Sequence, residues 1–308
     1  MRIFKNRGDI FFSKTNKEKS SEQKFLITAL VVIVVFTLIF VIVTGARNDF
    51  SAKEFFKPDD LNVTEEVDTS EELVLPQISG KSNILLLVGD EDNLLFTALY
   101  QADMDNVAYK VSALKADTAV ENQKLSTLFA KQGPQAVKSA AEVLFGTEID
   151  FYISLDSDKF YELYSTFGEV DYPVISEVRY KNNDVAVPYS VRVKEGEQSL
   201  KASQFIGLIR YYLDVEGNTS LANDLLLSLA SQQINEENYA DRETLFSKFV
   251  TAADTDITVM DYSLSADALF VFSNSQVGVK VYNAPAVYSS GTITPDSLKE
   301  IKGYFVKE

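Results

Sequence analysis

The chain has 308 residues, with 29 Lys+Arg against 45 Asp+Glu, a formal net charge of −16, and no cysteine, histidine or tryptophan. Without Cys there is no disulfide, thiol nucleophile or thiolate-held metal, and without His there is no Ser-His-Asp triad, imidazole proton shuttle or His-ligated metal. Catalysis would have to run on carboxylates, Lys, Arg, Tyr, hydroxyls or a hard oxygen-bound cation.

Residues 1–24 carry seven basic groups and three acidic ones, a local balance of +4 that leaves −20 on the rest of the chain. So acidic an exterior repels a nucleic-acid backbone, and no basic stripe interleaved with aromatics offsets it; no nucleic-acid partner is expected. From Phe25 to Ala46 the chain reads FLITALVVIVVFTLIFVIVTGA, 22 residues without a charge. A helix of this length spans a hydrocarbon core of about 30 Å. A cleaved signal peptide would carry an apolar region of roughly 7–15 residues before a small-x-small site. This run is longer and lacks Ala-x-Ala, so a retained transmembrane helix is expected at 25–46. The basic tail at 1–24 then lies in the cytoplasm and the C-terminal domain outside, giving a single-pass protein of the cell membrane. A cysteine-free outer domain points to a bacterial envelope with one membrane, of the Gram-positive kind.

Residues 47–80 hold nine acids, three bases and two prolines without apolar periodicity, which predicts an extracytoplasmic stalk kept extended by self-repulsion. The outer domain, 81–308, opens with the apolar run Asn83–Gly89, which fits a strand buried on both faces. Val107, Tyr109, Val111 and Ala113 alternate as a half-buried strand does. Val137, Ala140, Ala141 and Leu144, between Pro134 and Gly146, predict a helix. Ile149, Phe151, Ile153 and Leu155 predict a strand, and Asp156 or Ser157 caps a helix whose face is Phe160, Leu163, Tyr164 and Phe167. Residues 169–200 read as a β-rich excursion. Helices are expected at 202–213, 220–234, 240–253 and 265–273, then a strand through Val277, Val279 and Val281, and a last helix from Pro295. Alternating elements of this kind predict an α/β or α+β sandwich with a mixed central sheet.

The order of these elements, with several short motifs, resembles the LytR-CpsA-Psr family of bacterial envelope proteins over roughly residues 83–285. Asn83-Ile84-Leu85-Leu86-Leu87 is similar to the family's opening strand, and Ser112-Ala113-Leu114-Lys115-Ala116-Asp117-Thr118 stands where it has Ser-Ile-Pro-Arg-Asp-Thr. Lys124–Ala130 resembles its Lys-Ile-Asn-x-Ala segment, Glu148–Tyr152 its Ile-Asp-Tyr-Tyr, and Phe167-Gly168-Glu169-Val170 its Gly-Gly-Val turn. Gly196–Leu200, followed by Ile209-Arg210-Tyr211, is similar to the stretch leading into its Arg-rich helix. The resemblance implies an extracytoplasmic domain that binds a polyprenyl-pyrophosphate-linked glycopolymer and transfers it to peptidoglycan, with arginines on the pyrophosphate and aspartates placing Mg2+.

Several of the implied residues are replaced. The family's Arg-x-Asp-Thr falls on Asn93, Leu94, Leu95 and Phe96; the arginine of Pro-Arg-Asp-Thr becomes Ala116; and two arginines of the Arg-rich helix become Leu221 and Asp224. Asp117 and Arg210 remain as candidate catalytic groups. Arg210, Lys115 and Lys124 are candidates for an anionic ligand, and Asp90 and Asp117 for a metal. Each has an ordinary alternative: Asp117 a strand-end cap, Arg210 a partner for a surface acid, the two lysines exposed side chains, and Asp90 a solvated turn. A pyrophosphate needs fixed cationic forks, which lysine does not supply. The leading expectation is therefore a degenerate, non-catalytic member that binds polyprenyl lipid, glycopolymer or an active paralogue. An active phosphotransferase, in which Asp90, Asp117, Lys115, Lys124 and Arg210 converge with Mg2+, is one alternative, and a structural or adhesive ectodomain is another. The apolar helices at 202–213 and 220–234 suit a lipid tunnel or a filled core equally.

Overall fold

The structure, a computed structural model, describes residues 74–274 and 276–306. The basic tail, the transmembrane helix expected at 25–46 and the expected stalk up to residue 73 lie outside the described residues. Among the described residues no helix is long and apolar enough to cross a membrane.

Strands β1 (Lys81–Asp90) and β2 (Asn93–Asp103) form a hairpin, and β3 (Ala108–Lys115) follows. A short hairpin of β4 (Ala119–Val120) and β5 (Gln123–Lys124) leads into α1 (Leu125–Gln132). Helix α2 (Pro134–Phe145) starts on proline and stops where Gly146 takes a left-handed φ of 67°. Strand β6 (Phe151–Asp156) ends in the cap of α3 (Ser157–Phe167), where the Asp158 amide donates to the Asp156 carboxylate at 3.0 Å.

The β-rich excursion consists of β7 (Val170–Val174), β8 (Val178–Asn182), β9 (Tyr189–Val193) and β10 (Gly196–Leu200), with β7 paired to β10 and β8 to β9. Helix α4 (Ala202–Arg210) runs directly into a π-wound turn, Tyr211–Glu216, before the Asn218 cap of α5 (Thr219–Gln233). The remaining elements are α6 (Glu236–Ala240), α7 (Arg242–Ala252), β11 (Asp254–Thr255), α8 (Val259–Leu264), α9 (Ala266–Ser273), β12 (Lys280–Asn283), β13 (Tyr288–Ser289), β14 (Thr292–Ile293) and α10 (Pro295–Phe305).

Six strands form one mixed sheet in the order β11-β6-β1-β2-β3-β12. Strand β1 pairs antiparallel with β2 and parallel with β6, and β3 pairs parallel with β12. Being central, β1 sends alternate side chains into two cores. Leu86 and Val88 join the layer of α3, α4 and α5, whereas Leu85 and Leu87 join that of α1, α2 and α10. The result is the expected sandwich with helices on both faces of a mixed sheet.

Strand β2 is not among the strands read from the sequence, and its surroundings explain why. Both its faces are covered, so Leu94–Leu99 runs buried without alternation. Its interior positions also include two polar residues. Thr97 donates to the Leu86 carbonyl at 2.7 Å, and Gln101 donates to the Asn83 side chain at 2.8 Å. The expected strand through Val277–Val281 is a shorter one, Lys280–Asn283, set by its register on β3.

Candidate functional site

The sheet brings the carboxyl ends of β1 and β3 to the same edge of the sandwich. Asp90 closes β1 and Lys115 closes β3. Beyond Lys115 a tight turn forms because the amide and hydroxyl of Thr118 both donate to the Lys115 carbonyl, at 3.0 and 2.7 Å. The turn presents Asp117, whose carboxylate lies 3.7 Å from the Lys124 ammonium; both side chains are more than half exposed. Tyr288 on β13 braces the turn. Its hydroxyl accepts from the Lys115 amide at 3.2 Å and pairs with the Thr118 hydroxyl at 2.7 Å. The Lys115 ammonium lies 5.1 Å from the centre of the Tyr288 ring.

Arg210, at the end of α4, is only 6% exposed. One guanidinium nitrogen donates to the Val187 carbonyl at 2.7 Å, and the group stacks 3.9 Å above the Tyr189 ring. The Arg210 Nε and the Tyr189 hydroxyl are both buried without a hydrogen-bond partner. Burial lowers the Arg210 pKa, while the fields of Tyr189, Asp214, Tyr161 and Asp90 oppose that shift. A guanidinium stays charged under such a shift.

Asp214 lies on the π-wound turn, four residues beyond Arg210. The residue is exposed, yet the surrounding protein pushes its carboxyl up to about 6. Loss of solvent is the main cause and Asp117 adds to it, against Arg210 and Lys115. The charges of Arg210, Lys115 and Asp117 are felt at Asp214, and those of Asp214 and Asp90 at Arg210. Of the five residues proposed from the sequence, Asp117 and Lys124 are in contact, Asp90 and Lys115 close the ends of β1 and β3, and Arg210 bonds instead to Val187 and stacks on Tyr189. The expected helix stopped at residue 213, one short of it; the four-residue spacing from Arg210 was the available signal. Tyr161, Tyr189 and Tyr288 were also missed. Desolvation raises the pKa of all three, the last two to about 12, so they serve as neutral hydroxyls.

The replaced arginine positions are occupied in other ways. Asn93 is exposed, and its amide donates to the Asp90 carbonyl at 3.3 Å. Ala116 and Leu221 pack against the two apolar cores. Asp224 accepts from the Asn283 amide at 2.6 Å, within a network that also holds Ser220 and Asn223.

The cleft does not fit a divalent cation. Mg2+ demands hard oxygen ligands in near-octahedral array, and the described residues contain no cluster of three acids able to hold a metal. The nearest carboxylates already face ammonium or guanidinium groups. The apolar faces of α4 and α5 are core. Phe205, Leu208, Ile209, Leu213, Leu225 and Leu226 are fully buried and pack with β2 and β3. A recess of about 470 Å³ lies at the margin of that core, lined by Tyr161, Tyr164, Ser165, Glu169, Lys201 and Ser203.

Comparison with solved structures places this fold among several bacterial proteins. A transcription regulator from Eubacterium siraeum superposes with a TM-score of 0.63 at 17% identity, over 80% of this chain and 98% of its own. Bacillus subtilis TagV gives 0.57 at 16% identity, over 74% and 96% of the two chains. TagT bound to LI-WTA gives 0.52 at 13% identity, over 73% and 89%. No curated protein matches the sequence. The family model of the LytR_cpsA_psr family matches residues 103–291, more than half of the chain. The chain therefore belongs to the LytR_cpsA_psr family, and its function lies with the glycopolymers of the bacterial cell envelope.

Proposed function

We propose that this protein is a non-catalytic member of its family, anchored by residues 25–46 and held outside the membrane by its acidic stalk, where it binds glycopolymer or an active family member. One observation carries the reading: the cleft balances its own charge. Arg210, Lys115 and Lys124 stand against Asp90, Asp117 and Asp214. A clamp for pyrophosphate requires a surplus of cationic donors and a divalent ion. The cleft's arginine is already stacked and hydrogen-bonded, and the described residues gather no group of three acids that could hold a metal. Closure of the apolar faces of α4 and α5 favours the glycan or a protein partner over the polyprenyl tail as the ligand.

The phosphotransferase alternative requires the five candidate side chains to act together on one ligand, so activity is the proper test. The full chain, purified in detergent, is given a polyprenyl-pyrophosphate-linked glycopolymer and Mg2+. No release of polyprenyl pyrophosphate above the protein-free rate is expected. Turnover that Asp117→Ala abolishes would establish the enzyme instead.

A further inference from the structure

We propose that the recess between α3 and α4 binds a compact zwitterion of the amino-acid or short-peptide class, with its ammonium at Glu169 and its carboxylate at Lys201. The recess holds about 470 Å³ and shares no residue with Asp90, Lys115, Asp117, Lys124 or Arg210, so the proposal stands apart from the non-catalytic reading. Strand register builds it. Strands β7 and β10 pair antiparallel up to Leu200 opposite Val170, so Lys201 and Glu169 hold the next positions of the same register. Opposite charges so placed are set to close on each other. Neither forms an ion pair among the described residues, although both are exposed and both line the recess.

The floor between them is already satisfied. The Tyr164 hydroxyl donates to the Leu200 carbonyl at 2.8 Å and accepts from the Val170 amide at 3.1 Å, so Tyr164 offers a ligand only its ring. Beside it lie the half-buried Tyr161 and Ala202. The helices polarise the space in the same sense as the side chains. Gly168, the residue before Glu169, closes α3, and α4 begins at Ala202, the residue after Lys201. Each charge therefore sits at the helix end of its own sign, an arrangement that a counter-charge relieves. A lone anion gains at Lys201 what it loses at Glu169, and a lone cation the reverse. An uncharged ligand would strip water from both groups without replacing it. A molecule carrying both signs answers both ends, and the volume suits a small ligand.

The probe is dialanine, in both the L,L and the D,D form, titrated calorimetrically into the full chain in detergent at neutral pH. At least one form should bind saturably, with a Kd below about 10 mM. N-acetylation of that dipeptide, which removes the ammonium, and C-amidation, which removes the carboxylate, should each weaken binding about ten-fold. Glu169→Gln should bind dialanine about ten-fold more weakly and no longer distinguish it from the N-acetyl form; Lys201→Gln should behave likewise toward the amide. Glu300→Gln, an equal loss of charge on the exposed face of α10, should leave the affinity unchanged. The proposal is overturned if neither form binds below about 10 mM, if the capped dipeptides bind as well as dialanine, or if Glu169→Gln and Lys201→Gln keep the wild-type affinity. The capped dipeptides decide the matter on the wild type even if a variant folds poorly.

Discussion

Two polar regions of this domain are built in opposite ways. At the far end of β2 and β3, Asp103 is 1% exposed and meets the Lys110 ammonium at 2.8 Å; Asn106 donates to the same carboxylate, and Lys110 also donates to the Tyr304 carbonyl. Across the sheet, Lys138 meets Asp256 at 2.6 Å and the Asp150 carbonyl at 2.9 Å. Every charge in these two places is closed by contact. In the cleft, Arg210 keeps an unpartnered nitrogen, Tyr189 an unpartnered hydroxyl, and Asp214 acts on Arg210 and Lys115 through its field. Buried charges are tolerated only when paired and hydrogen-bonded, and Arg210 is the buried cation that keeps a nitrogen unpartnered, although neutral groups such as Gln101 Oε1 and the Ser112 hydroxyl are unpartnered elsewhere.

The largest expected effect breaks a closed pair. Lys110→Met leaves the Asp103 carboxylate buried without its cation and should destabilise the domain by about 3–5 kcal/mol in a denaturant titration. A loss below about 1 kcal/mol would show that Asp103 is solvated or protonated in the native state. Next comes the lock between α5, β3 and β12. Asn223 accepts from the Ala113 amide at 2.7 Å and donates to the Asn283 side chain at 2.7 Å. Asn223→Leu orphans both groups and should cost about 2–3 kcal/mol by the same measurement.

The pH dependence of stability sharpens the contrast. Burial raises the Asp103 carboxyl, but Lys110 and Asn106 outweigh it and hold the group below its ordinary 3.8. The sign follows from this depressed value: the stabilisation is present above 3.8 and is lost as pH falls through the lower folded value. Acid unfolding monitored by circular dichroism should therefore steepen below pH 3.8, and Asp103→Asn should flatten that limb. The smallest effect belongs to the cleft's exposed pair. Lys124→Ala removes the partner of Asp117 at 3.7 Å, yet stability should change by less than about 0.5 kcal/mol. A change above about 1 kcal/mol would mean that the cleft is built as tightly as the buried pairs.

Much of the fold was legible because its elements obey simple periodicities. Helix α2 sits between Pro134 and Gly146 as its apolar spacing demands, and Asp156 caps α3. Strand β2 escaped because both its faces are covered, and an apolar run holding Thr97 and Gln101 has no period to read. Motif order pointed to Asp90, Lys115, Asp117, Lys124 and Arg210, of which Asp117 and Lys124 are in contact at 3.7 Å. Asp214 escaped because regular helix spacing stops at Arg210, where the backbone widens into the π-wound turn Tyr211–Glu216. The tyrosines escaped for a tertiary reason. Tyr189 reaches Arg210 only because the β8–β9 hairpin carries it there, and Tyr288 reaches Lys115 only through the pairing of β13 with β14.

The central claim is that the cleft is balanced by its own side chains and takes no divalent ion. The most direct measurement is a calorimetric titration of the full chain with Mg2+, repeated on Asp117→Ala. No saturable heat is predicted for either protein. A single saturable site in the wild type that disappears in Asp117→Ala would contradict the account.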